Sequence, residues 1–134
     1  MIACKNKGGT NDSFKVMDGG TWNIIAIKSH SGYLVGNAEH NIVYGSYLYT
    51  DFKYKKILIE IQDKKIEGDF LIKKNGDNYK FKIFNTSDSL FNRDYDINLK
   101  MLSKNAFSTN YSLSLLSDSL LILAKKVQMG NDSD

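Results

Sequence analysis

The chain has 134 residues, of which 42% are hydrophobic and 25% charged, and a formal net charge of +3. That length suits one domain burying roughly two thirds of the surface of its unfolded chain, and so mild a charge is no nucleic-acid footprint. A single cysteine, Cys4, excludes an intrachain disulfide and a cysteine-built zinc site, and no apolar run reaches the roughly 18 residues of a membrane-spanning helix.

Residues 1–17 are polar and Gly-rich, with Lys5, Asn6, Lys7, Gly8 and Gly9 in succession, and predict a flexible leader. The folded body is expected over 18–127 and a disordered tail over 128–134. Within the body the dominant period is two, the alternation of side chains across a strand with one buried face. Strands are predicted at 22–28 and 42–49. Ile57, Ile59 and Ile61 then alternate with Leu58, Glu60 and Gln62, and the short Asp63-Lys64 connection leads into Ile66, Gly68, Phe70 and Ile72, which face away from Lys65, Glu67, Asp69 and Lys73. This is a hairpin. A second follows through Asn75-Gly76-Asp77, whose outgoing strand sets Tyr79, Phe81 and Ile83 against Lys80 and Lys82.

Residues 86–93 predict a short helical turn. Tyr95, Ile97, Leu99 and Met101 alternate with Asp94, Asp96, Asn98 and Lys100, after which 102–110 predicts a second helical turn. Tyr111, Leu113 and Leu115 alternate with Ser112 and Ser114, and residues 120–124 are apolar on both faces, as in a strand covered on both sides. About eight short antiparallel strands joined by short turns make an all-β meander. Such a meander leaves two open edges unless it closes, so an up-and-down barrel, closed or nearly closed, is the expected architecture.

Gly20-Thr21-Trp22 opens the first strand. It resembles the Gly-x-Trp start of the lipocalins and their short bacterial relatives, a resemblance that extends by pattern over the barrel domain 18–127. It implies that Trp22 packs across the closed end and that the barrel binds a small apolar ligand. Thr50-Asp51-Phe52 follows Trp22 too soon to be the family's Thr-Asp-Tyr motif. The Arg that covers the Trp in that family has no counterpart, since Arg93 is the only arginine; Lys125 or Lys126 takes its place in part, without a planar guanidinium.

Little else carries chemistry. His30 and His40 lie ten apart in a Ser-, Gly- and Asn-rich stretch, unlike a metal pair on one element, so no metal and no cofactor are expected. The serines show no Gly-x-Ser-x-Gly elbow, and Gly8-Gly9 and Gly19-Gly20 lack the pattern of a phosphate loop. Asp94 and Asp96 share the wet face of one strand. Lysines crowd the central hairpins among aromatic residues, but Glu60, Asp63, Glu67 and Asp69 dilute them, and a solvated outer face is the better account. Tyr33, Tyr44, Tyr47, Tyr49 and Tyr54 suit either cross-strand packing or a barrel mouth.

Ile2-Ala3-Cys4 resembles the end of a bacterial lipoprotein cleavage box, which implies lipidation of Cys4, a tethering leader and a place at the cell envelope. The expectation is therefore a non-catalytic binding module holding a small apolar ligand among Trp22, Tyr44, Phe70 and Phe81. Its alternative is a structural or protein-interaction domain with a filled barrel. Nucleic acid is not an expected partner, and membrane contact is expected only through an anchor at Cys4.

Overall fold

A computed structural model describes residues 14–39, 43, 45–76 and 78–129; Cys4, His40 and Tyr44 lie outside them. Among the described residues nine strands form one antiparallel sheet: β1 (Thr21–Ser29), β2 (Gly32–Gly36), β3 (Ser46–Asp51), β4 (Lys56–Ile61), β5 (Lys64–Asn75), β6 (Asn78–Phe84), β7 (Arg93–Lys104), β8 (Ser108–Leu116) and β9 (Leu120–Met129). Neighbours in sequence pair in order from β3 to β9, and β9 returns to pair with β1 from Asn23↔Lys125 to Ser29↔Leu120. The sheet is thus a closed up-and-down barrel with eight strand positions in its wall, as the alternation predicts. β1 pairs β3 through Thr21, Trp22 and Asn23 and β2 through residues 26–29, so β2 and β3 share one position.

The inner rows are those the period of two selects. Ile59 faces Ile66, Phe70 faces Ile83 and Phe81 faces Tyr95, and Ile24, Leu48, Ile57, Leu113, Leu115, Leu120, Ile122 and Ala124 continue the inner rows; all are buried. The outer face is wet, and three of its lysines are paired: Lys56 with Asp69 at 2.6 Å, Lys64 with Asp88 at 2.9 Å and Lys80 with Asp96 at 2.5 Å. The hydrogen bond from Lys56 is the first cause holding the Asp69 carboxyl below the usual carboxylate range. Pairing of this kind explains the lysine-rich hairpins as a solvated wall.

One expected turn forms and one does not. Ser89–Phe91 is a 3-10 turn, begun by Asp88 accepting from Leu90 N, and it drives Phe91 into the core. Residues 102–110 instead continue as strand: β7 runs to Lys104 and β8 restarts at Ser108, with Asn105 Oδ1 accepting from Phe107 N and Ser108 N to build a tight hairpin. The bulge between Met101 and Ser103 breaks the alternation there and hides the strand from a period-two reading. The folded body is also longer than 18–127. Phe14 and Met17 are buried about a 3-10 turn at Lys15–Met17, and β9 extends through Gln128 and Met129.

At the end opposite that N-terminal turn, buried Tyr95 donates its hydroxyl to the Phe91 carbonyl at 3.0 Å. Burial pushes the Tyr95 phenol well above its ordinary range, against the pull of Arg93. Tyr95→Phe is expected to cost about 1 kcal/mol near neutral pH by orphaning that carbonyl. From about pH 10 upward only the unfolded state of the wild type ionises this group, which removes stability as pH rises. The gap between the two proteins in urea melts should therefore narrow above pH 10, and a constant gap would deny the burial of the hydroxyl.

Candidate functional site

The capped end of the barrel gathers the conspicuous residues. Trp22, the third residue of the Gly-Thr-Trp start, is fully buried, and Lys126 on β9 extends the inward row of Leu120, Ile122 and Ala124 by one step. Its Nζ lies 5.7 Å from the Trp22 ring centre and donates to the Val16 carbonyl at 2.7 Å. Lys126 thus covers the indole as the sequence suggested a lysine would. Burial lowers its pKa, and the nearby Asp18 carboxylate opposes the shift. Gly20 makes the approach possible, since a Cβ there would overlap the Lys126 ammonium.

The N-terminal segment is stapled across this end. Thr50 Oγ1 donates to the Met17 carbonyl at 2.7 Å, Gly19 N to the Thr50 carbonyl at 2.9 Å, and Phe52 N to Asp18 Oδ1 at 2.9 Å. Phe14 meets Tyr79 edge-on at 5.2 Å. The Thr50-Asp51-Phe52 stretch serves this fastening and the turn after β3, where Asp51 Oδ1 accepts from Lys53 N.

Above the cap lies an open groove of about 910 Å³. Lys15, Val16, Asp18 and Gly20 form one bank, and Leu99, Met101, Tyr111 and Lys126 the other. Of the second bank, Leu99, Met101 and Tyr111 carry no site role in the sequence, and Lys126 only that of covering Trp22. The one available signal was a lysine at an inward-facing position of the last strand.

Of the four residues expected to line a cup, Trp22, Phe70 and Phe81 belong to one core cluster at 0–1% exposure. Tyr44 lies outside the described residues, as does Cys4. Phe70 and Phe81 stack at 5.0 Å with planes 2° apart, and Phe52 tilts against Phe70 at 5.2 Å. The rings pack on one another across adjacent strands where a ligand would sit. The Trp22 indole Nε1 is buried with no acceptor. His30 is exposed in the β1–β2 turn, and among the described residues no three His, Cys, Asp or Glu side chains are grouped to hold a metal ion. No family model matches the chain, and no curated protein or solved structure matches it either.

Proposed function

We propose that this domain is a non-catalytic binding module of lipocalin-like build that acts through its surface and its capped end, its interior being filled. The occupancy of the barrel axis supports this: Trp22, Phe70, Phe81, Phe91 and Tyr95 are each at most 1% exposed, and eight strands leave an interior that side chains of this size fill. A protein or other extended partner on the outside is the contact such a body offers.

A second reading keeps the small apolar ligand and moves it to the groove, where Leu99, Met101 and Tyr111 face the cation of Lys126. A cell-envelope location goes with either reading through the Ile2-Ala3-Cys4 motif.

Native mass spectrometry of the purified protein, followed by thermal melts against fatty acids and other apolar compounds, separates the two. A bare protein mass and an unmoved midpoint are expected. A retained compound would transfer the function to the groove, as would stabilisation approaching the roughly 2.7 kcal/mol that a ligand at a hundred times its Kd supplies. The same mass reads any acyl group on Cys4.

A further inference from the structure

β7 pairs with β6 only as far as Lys80↔Asp96, and β9 with β1 only as far as Asn23↔Lys125. Beyond those points β7, β8 and β9 leave the wall as a three-stranded ribbon, the outer edges of β7 and β9 pairing with no other strand among the described residues. From Asn98 to Lys104 it projects about 20 Å at the usual rise of a strand. Half of the large hydrophobic side chains exposed on the described residues are on it: Met101 at 59%, Leu102 at 52%, Phe107 at 75%, Val127 at 54% and Met129 at 70%.

The ribbon's charge is as one-sided as its apolar surface. No Asp or Glu occurs between Asp96 and Asp118 or after Asp118 up to Met129, whereas Lys100 and Lys104 fall on it and Lys125 stands at its base, Lys126 being turned inward to the Val16 carbonyl. The chain as a whole carries only +3. Lys100 and Lys125 flank Ser112 in one outward row. Among the described residues no carboxylate pairs with Lys100, Lys104 or Lys125, whereas Lys56, Lys64 and Lys80 of the central hairpins each have one.

We propose that this ribbon docks on an anionic lipid surface, Phe107 and its apolar neighbours entering the interface and the lysines binding the headgroups. Apolar side chains gathered at a protruding tip with a cationic collar meet the two requirements of interfacial binding, buried apolar area and attraction to anionic lipid. A second copy of this chain is a poorer occupant, since edge-to-edge pairing of two β7 strands would bring Lys100 and Lys104 against their own kind. The apolar groups stand on a tip, and lipid accepts such a shape more readily than the groove of a protein does. The inference extends the surface-acting reading and departs from the expectation that Cys4 is the sole membrane contact.

The test is co-sedimentation of the unlipidated chain with vesicles of phosphatidylcholine containing one third phosphatidylglycerol, a fraction on the order of a plain anionic surface. Binding is expected on these and not on pure phosphatidylcholine. Lys100→Gln and Lys104→Gln should each weaken it about five-fold, and Leu102→Ser with Phe107→Ser should abolish it while the thermal midpoint holds, both side chains being exposed. Absence of binding, binding indifferent to these substitutions, or a concentration-dependent dimer broken by them overturns the proposal. None of those results adds a retained compound to the native mass, a dimer only doubling it, so the surface-acting reading and the lipid surface fail separately.

Discussion

Phe81→Ala is expected to lower stability by about 3–5 kcal/mol, the range for removing a buried ring. For a domain of this length that is a drop of roughly 10–15 °C in the melting midpoint. Phe81 is fully buried, stacks on Phe70 and pairs with Tyr95 across β6 and β7, so its loss removes the middle of the packed axis. The space left is lined by apolar groups and should stay dry. Small aromatic compounds such as benzene should therefore raise the midpoint of Phe81→Ala while leaving the wild type where it is. If the wild type responded equally, the axis would already hold room for a ligand. If the variant melted within a few degrees of the wild type, the ring would not be packed as described.

The second large effect comes from a backbone contact. Gly36, the last residue of β2, has φ +74, and a Cβ on it would overlap the carbonyl oxygen of Ile25 on β1. Left-handed backbone alone costs an alanine about 1–2 kcal/mol. The overlap adds to this because its partner is main chain held in the sheet, so Gly36→Ala is expected to cost about 3 kcal/mol or more. Among the described residues β2 pairs only with β1, so the damage should concentrate there, with β2 peeling away and Val35 exposed. Hydrogen exchange of the residue 32–36 amides would report the loss. Gly76→Ala makes the control: φ is +66, yet nothing lies within 4 Å of its added Cβ, so only the conformational cost of about 1–2 kcal/mol applies. Equal losses for the two variants would show that the Ile25 carbonyl is not in contact.

The barrel was legible because its strands have one wet face and one dry face. Ile66, Phe70 and Ile72 against Lys65, Glu67 and Lys73 state both the period and the inner side, and the Asn75-Gly76 turn states the connection. β2 was illegible because Tyr33 and Leu34 are exposed and Val35 alone of its residues is buried, which leaves no alternation over five residues. The end of β7 was lost to a bulge. Phe14 and Met17 were assigned to a leader because their polar neighbours set the local composition, and composition cannot show that two apolar side chains reach back to plug a barrel end.

The candidate site was legible only in part. Gly20 and Trp22 marked the capped end, and a lysine near the last strand was expected to cover the indole. The sequence could not show that Phe70 and Phe81 stack tightly enough to occupy the axis, since the same inward rings would line a cup or fill it. Nor could it show the groove, whose banks, from Gly20 to Leu99 at the nearest, lie far apart in the chain.

Closure of the wall by β1 against β9 joins residues about a hundred positions apart. Every other pairing in the wall is between strands close in sequence, so the meander can zip from hairpin to hairpin while both of its edges stay open. The long loop that β1 and β9 must close is entropically costly until the inner rows are in place to reward it. Of the nine described strands, the one that seals the barrel is made after the other eight. Until it pairs, β1 and β8 offer bare edges to any neighbour, and the chain is at its most vulnerable to misassociation before β9 is in place.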